Sequence, residues 1–202
     1  MSPNNRERHI EERIVACPER LGYPGALAVR EFRFGDIGDK KCIPDVLLLP
    51  TVGVHRLVII EAKHVDNPEA DGAVVAQLCG YHESAQARLG SHGLELLQIF
   101  ACDHSERALD KDTIRANELC DESCQEEALK KIETGPKLKP EEIGLFVALA
   151  GGNPSDSLNR ELDRESVKEG KNPGRNIGVV ILEEDRPRVI RKIVVVNRIT
   201  EK

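Results

Sequence analysis

The sequence predicts an α/β domain, a mixed β-sheet flanked by helices, and three observations predict it. Helix-like and strand-like hydrophobic periodicities alternate along the chain in the order helix, strand, strand, strand, helix, strand. Apolar residues make up 40% of 202 residues and 16 glycines add to them, an ordinary globular content that excludes a wholly disordered or fibrous chain. Aromatics are only 3%, so the core must be built from Val, Ile, Leu and Ala.

The first element is a helix over 4–17, where Ile10 and Ile14 share one face and Pro18 stops the run. A turn region at 21–25 leads to an imperfectly alternating strand at 27–34 and a Gly/Asp loop at 35–41. Residues 42–49 (CIPDVLLL) and 54–62 (VHRLVIIEA) read as apolar strands around a turn at 50–53. A polar loop at 64–71 precedes a helix over about 72–88, with Val74, Leu78 and Tyr81 as its stripe. Residues 94–102 read as a further strand, 105–133 as charged and helical, and 135–140 as a linker. A buried strand at 143–150 is followed by a polar stretch at 151–176 with one helical piece. Strands at 177–183 and 188–199, joined at 184–187, end the pattern. The length suits a single domain over 1–202, with a core at about 5–103 and a helical insertion, loop and C-terminal strands at 104–202.

The segment that carries chemistry is Pro44–Asp45 followed by Glu61–Ala62–Lys63. If Asp45 faces Glu61, the midpoint of the pairing is Gly53, inside the predicted turn, so the register is self-consistent. Glu61 and Lys63 are two apart and project from one strand face, with Ala62 on the other. Two carboxylates and one ammonium then converge among Val46, Leu47, Leu48, Val58, Ile59 and Ile60, and charges embedded there need partners or a metal. Two hard oxygen ligands with positions left for water and phosphate suit Mg²⁺, for which Mn²⁺ substitutes. Such a metal polarises a phosphodiester and lowers the pKa of a bound water. Lys63 would then hold or deprotonate that water, or stabilise charge developing on the phosphate. The same spacing also suits a hairpin with a solvated Glu61–Lys63 edge, or a buried Asp–Lys ion pair.

This PD…ExK hairpin, preceded by a helix and followed by a helix carrying Gln77-Leu-Cys-Gly-Tyr81, resembles the PD-(D/E)xK nuclease superfamily, in particular its RecB-like and NucS-like branches. The resemblance implies a restriction-endonuclease-like fold and Mg²⁺-dependent hydrolysis of DNA. It implies a metal held by Asp45, Glu61 and the backbone carbonyl of Ala62, with Lys63 as the catalytic lysine. Gln77 and Tyr81, four apart on one helical face, would orient the lysine, the metal site or the substrate phosphate. Tyr81 as core packing and Gln77 as a solvated helix position are the plainer readings of that pair. The family also carries a glutamate on the first helix, matched here by Glu7, with Glu11 one turn on as the next candidate. The resemblance covers about residues 5–90, and the Asp45–Glu61 and Lys63–Gln77 intervals are slightly long for it.

The net charge of −6 and the scarcity of aromatics disfavour a protein that merely coats nucleic acid or stacks bases. Local basic groups remain: Arg30, Arg33, Lys40 and Lys41 on the approach to Asp45, Lys130, Lys131, Lys137 and Lys139, and Arg186, Arg188, Arg191, Lys192 and Arg198. Each also reads as a solvated face salt-bridged to nearby acids. No run approaches the roughly 20 apolar residues of a membrane span, and Met1–Arg13 is polar, so a cytoplasmic location with no membrane partner is expected. The six cysteines then read as thiols, with Cys17 and Cys79 in the core. Cys102, His104, Cys120 and Cys124 could form a metal set, but lack the tight Cys-x-x-Cys knuckle. His64 faces away from Lys63. The expected partner is DNA, with a homodimer plausible by symmetry. A non-catalytic binding module on the same fold, or an RNA-directed nuclease, is the alternative.

Overall fold

A computed structural model describes residues 3–31, 35–37, 40–101, 138–166, 177–182 and 187–191. Among the described residues six strands form one mixed sheet in the order β1 (Leu27–Arg30), β4 (Val46–Leu49), β5 (Leu57–His64), β6 (Ile143–Ala150), β7 (Ile177–Leu182) and β8 (Pro187–Arg191). Strands β1, β4 and β5 are antiparallel neighbours, β5, β6 and β7 run parallel, and β8 returns antiparallel. A separate two-stranded ribbon, β2 (Gly35–Ile37) with β3 (Lys40–Cys42), interrupts the chain between β1 and β4.

The sheet is apolar on both faces because helices cover both. Even-numbered residues of β4 and β5, namely Val46, Leu48, Val58, Ile60 and Ala62, pack with Ile10, Ile14 and Val15 of α1 (Pro3–Ala16). Odd-numbered residues Leu47, Leu49, Leu57 and Ile59 pack with Val74, Leu78 and Tyr81 of α2 (Gly72–Ala101) and with Leu158 and Leu162 of α3 (Asp156–Ser166). Continuously apolar strands flanked by two faces of helix are therefore what the sequence pattern encodes.

Several expected boundaries move. The strand expected at 94–102 is instead the end of α2 as far as Ala101. Leu, Glu, Gln and Ala dominate it and all favour helix, so the run continues the preceding turns despite Gly90 and Gly93. The strand expected at 27–34 stops at Arg30, because Glu31 takes a left-handed backbone (φ 50°). The loop expected at 35–41 contains the β2–β3 ribbon, with Gly38–Asp39, a dipeptide favoured at two-residue hairpin links, between its strands in sequence. Cys42 belongs to that ribbon, and β4 starts only at Val46. Strand β5 is displaced toward the C-terminus and runs to His64. The helical piece of 151–176 is α3. The regions 105–133, 135–137 and 192–199 lie outside the described residues, as do Arg33, Lys130, Lys131, Lys137, Arg186, Lys192, Arg198, Cys102, His104, Cys120 and Cys124. Among the described residues no helix is long and apolar enough to cross a membrane.

Candidate active site

Strands β4 and β5 pair as Val46↔Ile60, Leu47↔Ile59 and Leu48↔Val58, which centres the hairpin on Gly53. Gly53 has the positive φ (82°) that its turn requires. One step beyond Val46, that register sets Asp45 opposite Glu61. Contact follows: the Ala62 N–H donates to Asp45 Oδ2 at 2.7 Å. Odd parity puts Glu61 and Lys63 on the α2 face, the face that Asp45 reaches by continuing the alternation of Leu49 and Leu47.

Glu61 is 1% exposed and Lys63 6%. Lys63 Nζ donates to Glu61 Oε1 at 3.0 Å and lies 3.8 Å from the exposed Glu69. The other oxygen, Glu61 Oε2, is buried with no hydrogen-bond partner among the described residues. In an extended strand the N–H and C=O of one residue point the same way, so the Ala62 carbonyl opens to the side on which its N–H meets Asp45. Two carboxylates and a main-chain carbonyl thus gather where β4 begins. These hard oxygen donors, one of them orphaned, fit a divalent cation. Among the described residues no three His, Cys, Asp or Glu side chains by themselves form a metal-holding group.

The electrostatics are those of a site short of positive charge. Burial, then the Glu61 carboxylate, pushes Asp45 up to about 7 against the pull of Lys63 and the Ala62 N–H. Glu61 is also raised, by burial, with Lys63 opposing. Burial works against the Lys63 ammonium, but Glu61 and Asp45 outweigh it and raise its pKa, so the lysine stays charged at neutral pH.

Glu7 reaches this cluster from the N-terminal part of α1. Its charge acts on Asp45, Glu61 and Lys63, and its Oε1 accepts from Asn67 Nδ2 at 2.6 Å. Glu11, one turn on, forms a buried pair with Arg30, whose Nε donates to Glu11 Oε2 at 2.9 Å, and the Asp45 carboxylate also acts on it. Burial raises Glu11 to about 7, against its hydrogen bond with Arg30. Arg30 is therefore salt-bridged to a nearby acid, as one reading of its basic group expects, but in a buried pair rather than on a solvated face. Its side chain lies on the α1 face because β1 pairs Arg30 with Val46.

Gln77 and Tyr81 share a helical face and meet each other. Gln77 Nε2 donates to the Tyr81 hydroxyl at 2.7 Å, and that hydroxyl donates to the Ile43 carbonyl at 3.0 Å. The pair therefore grips the chain two residues before Asp45, and Tyr81 is both core (4% exposed) and polar anchor. Among the described residues neither Cys17 nor Cys79 forms a disulfide; both are half-buried rather than fully core, and Cys79 packs against the core cluster. His64 is also half-buried, on the face away from Lys63, 3.3 Å from Asp66. Lys139 is exposed, and Lys40 and Lys41 sit in β3. The sequence reading passed over Asn67, Glu69 and Glu31. Only Asn67 carried a signal, as an Asn directly before Pro68 at a helical start.

No family model, curated protein or solved structure matches this chain.

Proposed function

We propose that this protein is a metal-dependent nuclease that hydrolyses DNA phosphodiester bonds at the Asp45–Glu61–Lys63 cluster, with the restriction-endonuclease-like organisation of the PD-(D/E)xK superfamily. The observation that carries the reading is the orphaned Glu61 Oε2, buried beside an Asp45 carboxyl that has itself been forced upward. Two such carboxylates with one ammonium leave surplus negative charge, which a divalent cation offsets.

Asp45, Glu61 and the Ala62 carbonyl would hold the cation, Mg²⁺ or Mn²⁺. When bound, it supplies Lewis-acid polarisation of the phosphate and acidification of a water. The protein does the rest. Lys63, kept as an ammonium, donates toward oxygens of the substrate phosphate and stabilises the charge that grows there; a base role does not suit its raised pKa. Gln77 and Tyr81 fix Ile43 and so the entry of Asp45 into the site. Helices α1 and α2 wall the sheet and limit water. Glu7 contributes further negative potential at the rim.

The test is cleavage of duplex, single-stranded, branched and mismatched DNA, and of RNA, with Mg²⁺ or Mn²⁺, by wild type, Asp45→Asn and Lys63→Ala. Metal-dependent cleavage of DNA lost in both variants is expected. Equal cleavage by all three proteins refutes the site. Metal-independent binding without cleavage makes the protein a binding module, and cleavage of RNA alone moves the substrate class.

A further inference from the structure

Glu7 belongs to α1, whose apolar stripe lies on one face of the sheet, whereas Glu61 and Lys63 project from the other. An acid that comes round the end of the sheet needs something to set its distance, and the segment just after Lys63 supplies it. We infer that Asn67 is a positioning residue that holds the Glu7 carboxylate at the rim of the site, an inference that rests on the nuclease reading above.

Asn67 is suited to this because both ends of its amide are assigned. Its Oδ1 accepts from the Glu69 N–H at 2.9 Å, capping the short 3-10 helix Pro68–Ala70. That leaves Nδ2 as the donor, and it meets Glu7 Oε1 at 2.6 Å. The main chain of Asn67 is also pinned, its N–H donating to the His64 carbonyl at 2.8 Å and its carbonyl accepting from Ala70 at 2.8 Å. The neighbouring contact of Arg6 with Asp66 at 3.4 Å joins the same two segments. Asn67 therefore ties α1 to the end of β5 through a donor whose direction the cap dictates. A group that orients an acid near a cation typically changes metal affinity or activity 10–100-fold when removed.

The variant that separates positioning from capping is Asn67→Ser, because serine caps as well as asparagine but is too short to reach Glu7. Asn67→Thr has the same property and replaces it should the serine variant fold poorly. Mn²⁺ affinity is measured by calorimetry on the full chain, beside Mg²⁺-dependent kcat and KM for DNA. The expected result is a loss of about tenfold in Mn²⁺ affinity and in kcat, with KM and the thermal midpoint nearly unchanged. Glu7→Gln should show a similar loss, and Glu7→Gln/Asn67→Ser should be no worse than Glu7→Gln alone. Unchanged Mn²⁺ affinity and kcat in Asn67→Ser, or losses that simply add in the double variant, overturn the assignment while leaving the nuclease reading intact. A wild-type protein that neither binds Mn²⁺ nor cleaves overturns the nuclease reading itself, and this inference with it.

Discussion

Replacing Asp45 with Asn should make the metal-free protein more stable. Asp45 titrates at about 7 in the fold against an ordinary 3.8. Between those values the folded state binds the proton that the unfolded state has released, so stability falls as pH rises through the window and the full cost is present above pH 7. At 1.36 kcal/mol per pH unit, the gap sets a ceiling of about 4 kcal/mol. Asparagine has the same shape, carries no charge, and its Oδ1 still accepts from the Ala62 N–H. The shift already counts the attraction of Lys63, and with about half of the ceiling recovered after relaxation a net gain of about 2 kcal/mol is expected. For a chain of this size that raises Tm by about 4–8 °C at pH 8 in EDTA. At pH 5 less than half of the advantage should survive, since most of the window lies above it. Adding Mg²⁺ should raise the Tm of wild type and leave Asp45→Asn unmoved. Scanning calorimetry at the two pH values, with and without metal, reads all of this. A lower Tm for Asp45→Asn at pH 8, or a gain that ignores pH, would refute the reasoning.

Other perturbations have equally definite outcomes. Glu11→Ala removes the carboxylate from a buried ion pair with Arg30 and should cost about 3–5 kcal/mol in urea unfolding, whereas Glu11→Met/Arg30→Met should cost much less. Tyr81→Phe removes the donor to the Ile43 carbonyl and should cost about 1–2 kcal/mol, while lowering kcat for DNA more than it raises KM. Glu31→Gly relieves a left-handed residue and should stabilise by about 0.5–1 kcal/mol, a sign that Glu31→Val reverses.

The centre of the site was legible because a hairpin register is a one-parameter problem. Once Gly53 marks the turn, the opposition of Asp45 and Glu61 follows, and period-two alternation then puts Glu61 and Lys63 on one face. Partners that depend on distant packing were not legible. Arg30 reads as a phosphate ligand or as part of a solvated face, and the Glu11 that pairs with it lies on another element. Asn67 and Glu7 are 60 residues apart and meet only when α1 crosses the end of the sheet. The tail of α2 was misread because a short apolar run of Leu, Ile and Phe after two glycines fits either periodicity, and only continuity with the preceding helix decides it.

Strand β5 is bonded on its second edge to β6, with Glu61 beside Val147 and Lys63 beside Leu149. The residue that completes the floor under each charged group is thus 86 positions later in the chain. During synthesis, β5 emerges with that edge bare and waits for a strand that has not been made. Carboxylates buried only by the finished sheet stay hydrated and at ordinary acidity until then. The chemical character of the cluster is therefore acquired late, in one step with closure of the sheet, and a nascent chain that stops before residue 143 carries the motif without the environment that gives it force.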